Sequence, residues 1–184
     1  MISAFYLCTF RPSLYHQEYF CQAHSQSAYN MAGKDTIPDI MVGDFLMESS
    51  VGFDELMYEL GVNILTRKIG NSLYPLQQIR KQDGEITVET LTSFKNTKVV
   101  FKLGTAFEEY TADGRYTQTV ASVEGNKLVK IQTPDASTGY HTTQEVREFK
   151  EAGAVMMLHL TIPAKPEIVC TRIYKRVEPQ QPAQ

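Results

Sequence analysis

Arg172 and Tyr174 stand two residues apart in the last strand-like run of the chain, Ile168 to Val177, which reads IVCTRIYKRV. In a strand, alternate residues share a face. Ile168, Cys170, Arg172, Tyr174 and Arg176 then point one way, and Val169, Thr171, Ile173, Lys175 and Val177 the other. Neither face is cleanly polar or apolar, as it would be in a strand packed solid on one side and wetted on the other. A second arginine in strand context, Arg147, lies in the run EVREF beside Val146 and Phe149. If the sheet closes on itself, Arg147 and Arg172 can meet inside. Two guanidinium groups in a low-dielectric space are costly unless an anion joins them. A guanidinium fork holds a carboxylate through two parallel hydrogen bonds, and the Tyr174 hydroxyl would add a third donor. The competing reading places both arginines at the surface, paired with neighbours such as Glu145, Glu148 or Glu151.

Other reactive side chains do not assemble into a reaction centre. His16, His24, His141 and His159 are scattered without the spacing of a metal site. Cys170 has no base or oxyanion group near it in sequence, so it reads as a buried packing thiol. Ser49-Ser50 and Ser93 lack a nucleophile-elbow context. The expectation is a non-enzymatic protein with no metal and no cofactor. A net charge of −3 argues against nucleic acid as a partner. Cys8, Cys21 and Cys170 are few and far apart, which fits a reducing compartment better than a disulfide framework. No apolar run approaches the roughly 20 residues of a membrane span.

The elements that must position the two arginines are short strands. Asp83-Gly84, Asp113-Gly114 and Gly125-Asn126 are tight-turn dipeptides. Around them lie runs rich in Val, Thr, Ile, Tyr and Phe: Glu85 to Phe94, Lys98 to Leu103, Arg115 to Val123, and Lys127 to Thr133. This spacing predicts an antiparallel meander closing into a barrel or a sandwich. One stretch differs. Phe53, Leu56, Met57 and Leu60 form an amphipathic helical stripe ended by Gly61, and Val62 to Lys68 can form a second helix. Two such short helices cannot cover a sheet but can cap the mouth of a barrel. Residues 1–30 read as an unstructured leader, with Met31 as an alternative start, and 178–184 as a frayed Pro/Gln-rich tail.

The strand IVCTRIYKRV resembles the C-terminal signature of the intracellular lipid-binding proteins, the fatty-acid-binding protein family. MVGDFLMESSVGFDELMYELGV resembles that family's first strand and first helix, LTRKIGN its second helix, and TSFKNTKVVFKLGTAFEEYTADGR its middle strands. The likeness runs from about Pro38 to Val177, about three quarters of the chain. It implies an all-β fold of the calycin type. This is a ten-stranded antiparallel up-and-down β-barrel (β-clam) over 31–177, with a two-helix lid at about 53–69. It also implies non-covalent binding and transport of a long-chain fatty acid or related anionic lipid by a monomer. The alternatives are a retinoid carrier and a lipid-dependent interaction module that delivers its ligand to a partner such as a nuclear receptor. Residue by residue, Arg147, Arg172 and Tyr174 match the carboxylate-binding set. Phe53 and Met57 match residues lining the portal and the lipid tail, Phe94 the portal phenylalanine, and Asp113 and Arg115 a polar pair near mid-cavity.

In some relatives a basic cluster on the second helix steers the protein to anionic membranes or forms a nuclear import signal. Arg67 and Lys68 lie there, but Tyr58 stands where a third basic residue would strengthen the case, and a solvated helix face is the competing reading. Phe45 stands where the family usually has tryptophan, an expected packing exchange. Pro163 to Pro166 predicts an enlarged hairpin loop. This loop and the leader resemble a divergent invertebrate branch with some secreted members. The expected location is cytoplasmic, with the nucleus and secretion left open.

Overall fold

The structure, a computed structural model, describes residues 36–178. The leader, the alternative start at Met31, the cysteines and histidines before it, and residues 179–184 lie outside the described residues.

Ten strands follow one another in simple hairpin order: β1 (Gly43–Val51), β2 (Leu76–Gln82), β3 (Glu85–Leu91), β4 (Thr97–Phe101), β5 (Phe107–Tyr110), β6 (Tyr116–Glu124), β7 (Lys127–Pro134), β8 (Thr143–Lys150), β9 (Val155–Ile162) and β10 (Lys165–Val177). Two helices, α1 (Phe53–Glu59) and α2 (Ile64–Ser72), join β1 to β2. The sheet order is β4-β3-β2-β1-β10-β9-β8-β7-β6-β5, antiparallel throughout. The first and last strands therefore pair, and the sheet curls into a nearly closed barrel. Among the described residues, its unpaired edges are β4 and β5. They face each other through a stack of Phe101 on Phe107, with ring centroids 5.3 Å apart.

Turn chemistry sets the register. Asp83 and Gly84 both adopt positive φ, which the right-handed twist of a two-residue hairpin demands. Gln82 and Glu85 consequently face each other, and the β2–β3 ladder follows from there. At Gly52 (φ +74) a Cβ would sit 2.3 Å from the Val169 carbonyl oxygen. Only glycine lets the β1–α1 turn come this close to β10.

Two expectations differ from what is found. The enlarged loop at Pro163–Pro166 is instead a two-residue turn, Pro163-Ala164, between the paired residues Ile162 and Lys165. The surplus is absorbed as a bulge, because the next pair is Thr161 with Val169. Pro166 has no N–H to give a ladder, and a bulge is where a strand tolerates proline. The second helix starts at Ile64, not Val62, and runs to Ser72. Asn63 caps it, its side-chain oxygen accepting from the Thr66 backbone N–H at 3.0 Å.

The closed end of the barrel is apolar. Phe45 is fully buried and meets Phe149 edge-on, with centroids 5.5 Å apart. The Arg176 guanidinium lies over the Phe45 ring at 4.7 Å and donates to the carbonyls of Ile40, Val42 and Gly153. Position 45 is thus a packing position, and Arg176 is a clasp for the barrel floor.

Candidate functional site

Strand registers stack the inward-facing residues into rungs. Met47, Tyr174, Met156 and Phe149 form the lowest, all buried among the apolar core. Next comes Ser50, Arg172, Leu158, Arg147 and Leu128, each opposite its neighbour. Arg147 and Arg172 therefore share one rung with Leu158 between them, about 9–10 Å apart at the backbone, two strand spacings. Above lies Cys170, Leu160, Glu145, Lys130 and Ala121, and then Thr143, Gln132 and Thr119. The interior passes from greasy to charged to polar towards the mouth.

The barrel encloses a cavity of about 290 Å³. That is just below the roughly 300–1,000 Å³ of ligand pockets. Four buried cations line it (Arg115, Lys130, Arg147 and Arg172), with three carboxylates, Glu109, Asp113 and Glu145. Apart from the exposed Lys95 at the rim, the wall carries one positive charge in excess.

Three of the four cations are already matched. Arg147 donates to Glu145 at 3.0 Å and to the Gln77 side-chain oxygen at 3.0 Å. Lys130 donates to Glu109 at 2.6 Å and lies 3.2 Å from Glu145. Arg115 pairs with Asp113 and also donates to the His141 carbonyl at 3.0 Å, which ties the β5–β6 turn to the β7–β8 connection. Arg172 differs. It is 7 % exposed and, among the described residues, has no carboxylate partner. It makes a long contact to the Ser50 hydroxyl at 3.3 Å, and its guanidinium lies 3.9 Å from the centre of the Phe53 ring. Burial alone would raise the Glu145 carboxyl, but the Lys130 ammonium and the Arg147 guanidinium outweigh it and hold it at about 2.

Tyr174 is fully buried one rung below Arg172 and is not part of the cavity wall. Among the described residues its hydroxyl has no hydrogen-bond partner, and burial pushes its pKa up. Cys170 is buried against Leu56 and Ile162, and burial raises its thiol to about 11, so it is inert packing.

The mouth is roofed by the helices. Phe53 and Met57 line the cavity and pack against Gly70 of α2, where a Cβ would meet the Met57 sulfur at 3.2 Å. Phe94, in the β3–β4 turn, lines the opening and is largely exposed. Arg67 staples the lid to itself. It donates two hydrogen bonds to Asp54 at 3.1 Å and stacks on Tyr58 at 5.0 Å. Its charge is committed within the lid, and Lys68 is the exposed one of the basic pair. At the far end of α1, Glu59 pairs with Lys165 and lies 3.4 Å from His141, fastening the lid to the rim.

The charged set that the sequence did not place inside the barrel is Glu109, Lys130 and Glu145, of which Glu145 was offered only as a surface partner of the arginines. A signal existed for one of them. Glu145 and Arg147 are two apart in a strand and must share a face.

A ten-stranded barrel of this topology, roofed by two helices and enclosing a cavity lined by charged side chains, defines a class of small lipid-binding proteins, and the comparisons agree on the family. Residues 42–160 match the model of the lipocalin / cytosolic fatty-acid binding protein family, and the chain belongs to that family. The matched segment ends before β10, so this assignment does not rest on Arg172. A fatty acid-binding protein of Tyrophagus putrescentiae is 38% identical over 136 residues, 73% of this chain and 95% of that one. The sodium/calcium exchanger regulatory protein 1 of Doryteuthis pealeii is 34% identical over 140 residues, 75% and 97%. Among solved structures, a Schistosoma mansoni fatty acid binding protein in complex with arachidonic acid superposes with a TM-score of 0.68. It shares 31% identity and covers 76% of this chain and 97% of that one. The family is one of carriers, not enzymes.

Proposed function

We propose that this protein is a monomeric, cytosolic carrier that holds one long-chain fatty acid, or a related anionic lipid, non-covalently inside its barrel. The observation that carries the reading is the arginine rung. Arg172 is the buried cation whose charge no side chain among the described residues balances, and it faces the space the acyl chain would fill. Arg172 is proposed to take the carboxylate directly. Arg147, already held by Glu145, acts from the same rung at longer range, and Tyr174 supports from below. Phe53, Met57 and Phe94 meet the chain at the portal, and Asp113 with Arg115 shapes the wall near the mouth. Affinity comes mainly from the tail, at about 0.8 kcal/mol per buried methylene less the cost of ordering it. The arginine selects the anion and sets its orientation. Delipidated protein titrated with oleate in a calorimeter is expected to bind one molecule per chain. The absence of saturable binding would end this reading.

A second reading concerns delivery, and one observation favours it. Ile64 and Leu65 on α2 are 59% and 67% exposed, next to the exposed Lys68. Apolar residues beside a cation suit an anionic leaflet or a docking partner. The Doryteuthis pealeii relative is named a sodium/calcium exchanger regulatory protein, which suits a docking partner. Ile64→Ser with Leu65→Ser is expected to slow transfer of a bound fluorescent fatty acid to phosphatidylserine vesicles about fivefold or more. An unchanged transfer rate would remove α2 from the delivery step.

A further inference from the structure

Among the described residues, Glu109 carries a buried carboxylate oxygen with nothing to accept. Its Oε1 takes the Lys130 ammonium at 2.6 Å, while Oε2 is buried without a partner. The residue is 6 % exposed and belongs to the same cavity wall as Arg172. Lys130 has capacity to match. An ammonium has three N–H donors, and among the described residues the carboxylates of Glu109 and Glu145 are the groups that approach this one. Glu109 lies on β5 and Arg172 on β10, five steps apart either way round the ten strands. The two therefore face each other across the barrel. An acyl chain anchored at Arg172 and crossing the cavity would meet the Glu109–Lys130 pair.

We propose that Glu109 and Lys130 form a second polar subsite, which takes a hydroxyl carried along the acyl chain, so that the preferred cargo is a hydroxylated long-chain fatty acid. This rests on the carrier reading and narrows its ligand class. A methylene satisfies neither member of the pair. A hydroxyl satisfies both at once, donating to Glu109 and accepting from Lys130. The terminal torsion of a glutamate is broad, so either carboxylate oxygen can turn to the donor at little cost. Charge decides that the group is neutral. Lys130 and Arg147 already balance Glu109 and Glu145, so an added cation would face the Lys130 ammonium and an added anion the two carboxylates. The one unbalanced charge sits across the barrel, at Arg172.

The test compares octadecanoic acid with a positional series of its monohydroxy derivatives, titrated calorimetrically into the delipidated full chain and into Glu109→Gln. The wild type is expected to bind at least one isomer about tenfold more tightly than the plain acid. The preference should peak at one hydroxyl position, and most of that ratio should be lost in Glu109→Gln. If every isomer binds no better than the plain acid, the subsite is overturned and the carrier reading stands. If neither kind of acid binds, the carrier reading falls and takes the subsite with it. A preference undiminished in Glu109→Gln removes Glu109 from the subsite. Should that variant not fold, the wild-type series decides alone, since a preference flat across hydroxyl positions contradicts a fixed pair.

Discussion

Arg172→Leu is expected to weaken oleate binding about ten- to a hundredfold, while a neutral, retinol-like ligand loses less than about threefold. A hydrogen bond to a charged group contributes about 1.5–3 kcal/mol, and each 1.4 kcal/mol is a factor of ten. The larger part of the binding energy, burial of the tail, is untouched. The neutral ligand also reports on the lid. Arg172 lies against the Phe53 ring and contacts Ser50, so its loss can loosen α1. A loosened portal would weaken both ligands, whereas a lost anchor weakens only the acid. The variant should fold, because no carboxylate is left behind without a counter-charge. Arg147→Leu lacks this advantage, since it strands part of the charge on Glu145. Equal oleate affinity in Arg172→Leu and wild type would show that the carboxylate is held elsewhere.

The frame of the site was legible because it depends on period and turn chemistry. Strand alternation put Arg172 and Cys170 on one face of β10. The Asp-Gly and Gly-Asn dipeptides marked the hairpins, and the stripe from Phe53 to Leu60 marked the first helix. Pairings between distant strands were not legible. Lys130 meets Glu145 only because Gly125-Asn126 and the β7–β8 connection fix the register that sets them opposite each other. Lys130 meets Glu109 only because β5 lies two strands away. The pattern offered an inward Arg147 and an ion-paired Arg147 as rivals. The molecule has both at once, with the ion pair itself inside. Tyr174 shows a limit of period alone. It shares a face with Arg172, yet one rung lower that face is already the packed floor. At Pro163–Pro166, composition suggested a loop, but whether surplus residues lengthen a turn or bulge a strand depends on where pairing resumes.

Lys130→Met is expected to cost about 3–5 kcal/mol of stability at neutral pH. One ammonium serves two carboxylates there. Without it Glu145 keeps Arg147, but Glu109 keeps no partner among the described residues, and two carboxylates are left near each other on the cavity wall. The loss must depend on pH. In the wild type the Glu145 carboxyl is held at about 2, against an ordinary 4.5. A carboxyl whose pKa is lower when folded stabilises the fold above its unfolded value and gives that stability up as the pH falls through the folded one. The wild type should therefore lose stability on acidification below about pH 4.5. In Lys130→Met much of that contribution is already gone, and protonation relieves the repulsion between the carboxylates. Urea midpoints of the two proteins should thus be furthest apart near pH 7 and converge towards pH 3. A gap that stays constant with pH would mean that Lys130 acts through packing of its stem. Adding Glu109→Gln to Lys130→Met should recover part of the loss at pH 7, because the glutamine replaces the stranded charge with a neutral group. A double variant no more stable than Lys130→Met would place the energetic partner of Lys130 at Glu145 instead of Glu109.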